Sequence, residues 1–534
     1  MHQSDSAASI RDATLARLTE FTSPGPPPPR PTIAPGGAAV YWTAVAVAFI
    51  AALAIRVVTF LEPWIGAHNA WGGAFYSNVA RNFVRYGLET RLAPVVNTGM
   101  VDPSQFEVYY HHPVLSMLLT SVSFRVFGEH EWSARLAPLI FSLLTLLLVF
   151  RGARRWFGDA TALVALAFMA VLPIDAYYAT HLDPYGSMAI FFTVLAVASY
   201  ERWASDGSQR HFGICVGAVA LGCMTSWFTY LVVPAIALHW FFTRRTGARV
   251  GDWVRIVTLP ATTVAVFSLF LFHRSVALTG IGPEVYDQLG DRLLMRTIEL
   301  PFSRIEILDT YLYQVRDLYT LPFVLLMVAW VGLFVHGLWR RRVSTGMWCV
   351  AILLTFGLLY AIAFPGHLPS HDYFVRAYAP GVALAAAIVV TRLAGLAQRP
   401  GMSIVITGAL VLVVASVSLA RVRALYATDN REFAPRFIGY GHAIGTLTMP
   451  RDRVLMPGRG DRIMEYYVDR PFTFELDTHA ELDSALAAAA PGTVVAVPER
   501  DSLRFPEVLA LLRSRLPEHH AGGLHLFQVP RAEE

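Results

Sequence analysis

Apolar runs, most of them near the length of a membrane crossing, alternate along this chain with short arginine-bearing segments. A crossing helix needs about 20 apolar residues, and about 17 suffice. Runs that meet or approach this length fall at 40–61, 133–150, 160–178, 184–200, 211–224, 227–243, 253–273, 321–339, 347–364, 380–397 and 403–422. The pattern predicts an all-α polytopic membrane protein with about 11 transmembrane helices. One further apolar stretch, Pro113 to Phe127, is interrupted by Ser116, Thr120, Ser121, Ser123 and Arg125. It is short for a span and predicts a re-entrant or interfacial helix.

The arginines test that count. With the short helix left out, Arg151/Arg154/Arg155, Arg202/Arg210, Arg244/Arg245/Arg249, Arg340/Arg341/Arg342 and Arg392/Arg399 all fall on one side. Cytoplasmic loops carry the excess of basic residues, so that side is expected to be the cytoplasm, with the N-terminus there too. Counting the short helix as a span would export every cluster. Three long segments, 62–132, 274–320 and 365–379, then lie outside, and a transmembrane region 40–425 leads to an outer C-terminus. Within 274–320, apolar residues recur at helical spacing among charges, which predicts helices lying on the membrane surface.

Two terminal regions break the pattern. Residues 1–39 are polar and then proline-rich (PGPPPPRPTIAPGG), the composition of a disordered tail. No cleavable signal peptide is expected, because the first apolar run starts near Val40 and is long enough to span. Residues 430–534 become more charged. RVLMP, FTFEL, TVVAVP and LHLFQV read as strands, and IMEYYV, HAELDSALAAA and FPEVLALLRSRL as helices between them, predicting a small periplasmic α/β domain with a largely parallel sheet. It has no glycine-rich phosphate loop, so no nucleotide chemistry is assigned.

Composition narrows the class. Of 534 residues, 55% are hydrophobic and 15% charged, with a mean hydropathy of +0.46. A soluble globular chain carries about 25% charged residues, so an ordinary soluble enzyme is excluded. The net charge of +4 is small and dispersed and does not suit nucleic acid. Cys215, Cys223 and Cys349 all lie in apolar runs and suggest neither disulfide framework nor zinc site. Transporters and channels carry charges at mid-membrane; here Arg56 stands nearly alone. The polar, aromatic and titratable residues gather instead in loops of one face, which suits an enzyme acting at the outer surface on a lipid-borne substrate. A polytopic transporter, a lipid-binding protein or a non-catalytic relative is the alternative class.

The first outer loop reads HNAWGGAFYSNVARNFVRYG from His68, then VDPSQFEVYYHHP, the short helix, and FGEHEWSARLAP. Tyr76, Ala80 and Arg81 form a YxxxAR helix, and His112-Pro113 opens the short helix. Phe127-Gly128 makes a turn before Ala134-Arg135-Leu136, Asp183-Pro184 precedes the fourth span, and His371-Asp372-Tyr373-Phe374 with Pro380 follows late. In this order the motifs resemble the GT-C superfamily of polyprenyl-phosphate-sugar glycosyltransferases, in the protein-mannosyltransferase and aminoarabinose-transferase-like branch. The resemblance implies inverting transfer of a sugar from a polyprenyl-phosphate donor to an acceptor (glycan, lipid or protein) at the outer face of the inner membrane. It implies substrate contacts by His68, Trp71, Tyr76, His112, His371 and Asp372, with Arg81 and Arg135 on the phosphate; Arg376, in the short loop after HDYF on the same side, carries a guanidinium suited to bind a phosphodiester bidentately.

Relatives generally carry an acid just before the YxxxAR helix as the base, and here His68 to Gly73 contains none. Three readings stand. Asp183 carries the base role, Asp102 or Glu107 folds in to take it, or transfer has been lost. Simpler roles stand beside these. Asp183 caps the fourth span, Arg81 and Arg135 reach to lipid headgroups, and His371 and Asp372 pair within their loop. No cofactor is assigned. A divalent metal is left open, with His68, His181 and His371 as ligands should folding bring them together.

Overall fold

A computed structural model describes residues 35–64, 67–109, 111–244, 246, 248–277, 303–365, 371–397, 399–428, 433–457, 461–473, 478–501 and 504–531. The tail expected over 1–39 therefore lies outside the described residues up to residue 34, and from Pro35 the chain is helical. The helices of the first half are α1 (Pro35–Arg56), α2 (Ala67–Arg85), α3 (Leu115–Phe127), α4 (Glu131–Phe157), α5 (Asp159–Val171), α6 (Pro173–Tyr177), α7 (Ser187–Asp206), α8 (Gln209–Thr225) and α9 (Val232–Arg244). There follow α10 (Val250–Ala277), α11 (Arg304–Trp339), α12 (Thr345–Ala363), α13 (Ala379–Gly395) and α14 (Pro400–Thr428).

A helix thus stands at each of the 11 expected places, and among the described residues seven helical segments, one of them α13 taken together with residues 372–378, are long and apolar enough to cross a membrane. The chain is a multi-pass membrane protein. Of the rest, α5, α8 and α9 have only 13, 17 and 13 residues. Proline explains the main departures in their bounds. The run 160–178 is broken because Leu172, forced extended by the following Pro173, ends α5 and lets Pro173 start the short α6. The run at 321–339 is continuous with the surface helix expected before it. The chain bends between them at Thr320, whose φ of 64° precedes Pro322. α13 is buried along nearly its whole length and forms the centre of the bundle.

At one end of the bundle α2 and α3 pack on each other and on the C-terminal region in a shared apolar core. That region comprises α15 (Phe433–Leu447), β1 (Val454–Leu455), α16 (Arg462–Val468), β2 (Phe472–Thr473), α17 (His479–Ala487), β3 (Val494–Pro498), α18 (Pro506–Arg515), β4 (Glu518–Ala521) and β5 (Leu524–Gln528). The strand order is β2-β1-β3-β5-β4. The sheet is mixed rather than largely parallel, because β5 runs antiparallel to both β3 and β4. The sequence reading missed β4, whose EHHA is too polar to look like a strand, and with it the hairpin. Gly522 and Gly523, both at positive φ, make the two-residue turn that fixes it.

Two arginines one turn apart on α2 clamp this region in place. Arg81 Nε donates to Glu129 at 2.9 Å and Nη1 to the Tyr466 carbonyl at 3.1 Å, with the guanidinium 4.2 Å over the Tyr466 ring. Arg85 pairs with both oxygens of Asp469. The Tyr467 hydroxyl completes the clamp, accepting from the Trp64 amide and donating to Glu131, each at 2.8 Å.

Burial alone would raise the Asp469 carboxyl, but the Arg81 and Arg85 guanidiniums outweigh it and hold it at about 2. A depressed carboxylate stabilises the folded state above its ordinary value of 3.8, and that contribution disappears as pH falls from there to about 2. Asp469→Asn should therefore cost about 1.5–3 kcal/mol near neutrality. The left-handed backbone at this position tolerates Asn, so the variant isolates the charge. The C-terminal region should become more sensitive to limited proteolysis, with the difference from wild type narrowing below pH 4; equal sensitivity at pH 7 would contradict the clamp.

Candidate active site

The connection between α6 and α7, residues 178–186, buries Thr180, His181 and Asp183 at this end. His181 Nδ1 donates to Asp183 Oδ2 at 2.5 Å, and Asp183 Oδ1 accepts the Tyr185 amide at 2.5 Å. Asp183 therefore closes a tight turn through Pro184 and does not cap a span. The cap position of α7 is Gly186, three residues later. His181 and Asp183 are both almost wholly buried, and share a narrow cleft with Tyr76, Ser116, Thr120 and Met188.

Aromatic rings from four segments close around this pair. His112 meets Tyr185 edge-on at 5.0 Å, and Tyr109 stacks on His111 at 4.7 Å. His181 lies 5.1 Å from Tyr178 and 5.7 Å from Tyr373, ring to ring. His371 stacks on Tyr373 at 5.2 Å, and the Tyr178 hydroxyl donates to Asp372 at 2.5 Å. Burial first, then the nearby Tyr109, Tyr373 and Asp183, push the Tyr76 phenol well above its ordinary value. Tyr76 thus stays a neutral O–H donor.

The structure brings together Tyr76, His112, Asp183, His371 and Asp372 as expected. Trp71 lies flat on Phe75 at 5.4 Å and is partly exposed. The His68 side chain lies outside the described residues. Among the described residues, His181 and His371 are not joined into a three-donor metal cluster. Asp102 is exposed, caps a short turn by accepting from the Ser104 amide and hydroxyl, and is held below its ordinary value by them. Glu107 is exposed as well. Neither joins the buried pair.

The expected phosphate-binding cations are engaged elsewhere. Arg81 belongs to the clamp described above. Arg135 donates to the carbonyls of Phe60, Glu62 and Pro63 and lies 4.2 Å from the Trp64 ring. Arg376, only 1% exposed, donates twice to Asp175 Oδ1 at 2.9 and 3.1 Å, to the Tyr178 carbonyl and to Ser187 Oγ. Asp175 Oδ2 accepts from Arg56 at 2.6 Å, so two guanidiniums share one buried carboxylate.

The sequence reading missed His181 as the partner of Asp183, and it missed Arg274. Arg274 is buried at the end of α10 and donates to the His112 carbonyl at 3.2 Å. In the sequence it is one arginine at the edge of a span, with no motif around it. Gly72 also gains meaning. A Cβ there would sit 3.6 Å from His181 Nε2, so Gly72, within the stretch that lacks an acid, faces the imidazole that pairs with Asp183.

A family model described as dolichyl-phosphate-mannose-protein mannosyltransferase matches residues 111–273, the part that carries His112 and Asp183. The undecaprenyl phosphate-alpha-4-amino-4-deoxy-L-arabinose arabinosyl transferase of Edwardsiella ictaluri is 26% identical over 360 residues, 64% of this chain. The match spans 60% of that relative's length. Among solved structures, ArnT from Cupriavidus metallidurans bound to undecaprenyl phosphate superposes with a TM-score of 0.63 at 14% identity, over 94% of this chain and 100% of ArnT. The Archaeoglobus fulgidus oligosaccharyltransferase AglB, in complex with an inhibitory peptide and a dolichol-phosphate, gives 0.56 at 11% identity, over 89% of this chain and 71% of AglB.

Asp175 is the buried group whose loss would be felt most. Asp175→Asn leaves Arg56 and Arg376 without their shared anion and should cost about 3–5 kcal/mol. Thermal unfolding of the detergent-solubilised variant would show it as a clear drop in Tm. An unchanged Tm would mean the two guanidiniums do not depend on this carboxylate.

Proposed function

We propose that this chain, whose residues 111–273 match the mannosyltransferase family model and whose fold resembles ArnT, is a glycosyltransferase of the GT-C superfamily that moves a sugar from a polyprenyl-phosphate donor to an acceptor at the outer membrane face. The observation that carries this reading is the buried His181–Asp183 pair facing Gly72. The acid missing from residues 68–73 is matched by a carboxylate on the facing segment. Asp183 accepts the proton of the acceptor hydroxyl or amine as the acceptor atom bonds to the anomeric carbon. The bond from that carbon to the phosphate oxygen breaks, and its electron pair leaves on the lipid phosphate. Arg274 supplies the positive charge that stabilises this leaving group. His181 is the positioning residue that fixes the Asp183 carboxylate, and Tyr76 offers a neutral O–H to a sugar oxygen.

The reading needs this end of the bundle to face away from the cytoplasm. The opposite end gathers Arg154, Arg155 and Arg255 with Asp159, Glu201 and Asp252, the arginine-rich side expected inside. On this topology all 11 apolar helices cross the inner membrane and the C-terminal region is periplasmic. Reporter fusions within 152–158 and 341–345 should then report cytoplasm, and a periplasmic signal from either would reverse the assignment.

Purified protein in nanodiscs, given a radiolabelled polyprenyl-phosphate sugar and membrane extract, should release free polyprenyl phosphate as label moves to an acceptor. Asp183→Asn should lower this turnover about 10²–10⁴-fold, and Arg274→Gln about 10²-fold. Unchanged turnover in Asp183→Asn would remove Asp183 from the base role. Saturable binding without release in wild type would make the chain a carrier or binding protein for the glycolipid.

A further inference from the structure

A second cluster of donors lies on the β4–β5 hairpin, apart from the residues described above. His520 on β4 stands directly opposite His525 on β5 in the antiparallel register. Directly opposed residues hold their Cβ atoms about 4.5–5.5 Å apart, and here the two imidazole centroids are 4.7 Å apart. Glu518 precedes His520 by two residues, so the alternation of a strand puts it on the same face. Its Oε1 lies 2.7 Å from His525 Nδ1 and 3.2 Å from His520 Nε2. The three donor groups all fall within 4.8 Å of one another.

We propose that this hairpin is a transition-metal site of the zinc class, with His520 Nε2, His525 Nδ1 and Glu518 Oε1 as protein ligands. Two imidazoles and one carboxylate suit Zn²⁺ and its borderline neighbours rather than Mg²⁺ or Ca²⁺, which prefer oxygen. Tetrahedral zinc with bonds of about 2.0–2.1 Å sets its ligands about 3.4 Å apart, so modest side-chain rotations close the site. The surroundings fit the role. His520 Nδ1 faces Glu499 at 3.5 Å, the carboxylate–histidine arrangement that orients a ligating imidazole. Arg513 donates to both oxygens of Glu518 at 2.9 and 3.0 Å and holds that carboxylate in place. A carboxylate offers about four lone-pair sites, so Glu518 can keep Arg513 and still bind the cation.

The hairpin is tightened by its short glycine turn, and β4 is the edge strand of the sheet. A metal joining β4 to β5 would fasten that edge, where one side of the strand lacks a neighbour. His520 is exposed, so solvent supplies the fourth ligand and a route of entry.

The test is calorimetric titration of ZnCl₂ into the full-length, tag-free protein in detergent, pre-treated with chelator. Wild type should bind one Zn²⁺ saturably, and His520→Ala should weaken that binding at least tenfold. His519→Ala, on the opposite face of the same strand, should leave it unchanged. His520 is solvent-exposed, so the variant is expected to fold; His525→Gln provides a second ligand deletion with the same expected loss. No saturable binding in wild type would overturn the site. So would zinc affinity that survives His520→Ala and His525→Gln but is lost in His181→Ala.

Discussion

The arrangement of the site depends on one buried charge triad. Asp175 stands on the short α6, just after the chain breaks at Leu172, and its two oxygens take Arg56 from α1 and Arg376 from the segment leading into α13. Neither guanidinium tolerates burial without an anion, and no other carboxylate pairs with them among the described residues. Arg376 also donates to the Tyr178 carbonyl and to Ser187 Oγ, the two ends of the connection that carries His181 and Asp183. Three distant parts of the sequence are thus fixed to one another at one point. The same contacts bring the 371–374 motif within ring contact of the dyad.

A second set of charges does comparable work one layer out. Arg81, Arg85 and Arg135 reach carbonyls, carboxylates and aromatic faces that tie α2, the loop before it and the C-terminal region into one unit. Arg81 of the YxxxAR motif and Arg135 of the ARL motif are therefore engaged within the protein, next to the segment that carries Tyr76 and Gly72. Beside His112 stands Arg274, which belongs to neither motif and donates to the His112 carbonyl.

The sequence made the membrane architecture legible because hydropathy and arginine placement are local signals that survive without tertiary information. Helices appear at all the expected places, and α16, α17 and α18 lie where their apolar spacing put them. Proline, turn and pairing effects shifted what was misread. Pro173 split one run, Thr320–Pro322 joined a surface helix to a span, and the polar EHHA strand was invisible until it paired with β5. Which candidate residues would lie near one another was partly legible; what each would touch was not. His112, Asp183, His371 and Asp372 converge, yet the motif arginines are used inside the protein. Spacing says which residue types are near a motif; it does not say which partner a long guanidinium will reach.

The empty acid position is the sharpest case. Read along the chain, His68 to Gly73 looks like a loss, because no carboxylate precedes the YxxxAR helix. Read across the fold, Gly72 lies opposite the His181 imidazole, close enough that a Cβ at 72 would already touch it. A bulky side chain there would fill the cleft between Tyr76 and the dyad, whereas glycine keeps it open. Asp183, accepting from an imidazole and a backbone amide, and Asp372, accepting from a tyrosine hydroxyl, are carboxylates in two different settings. On the proposed function, the base role that relatives place in the first loop falls to the facing segment, where His181 lies opposite Gly72.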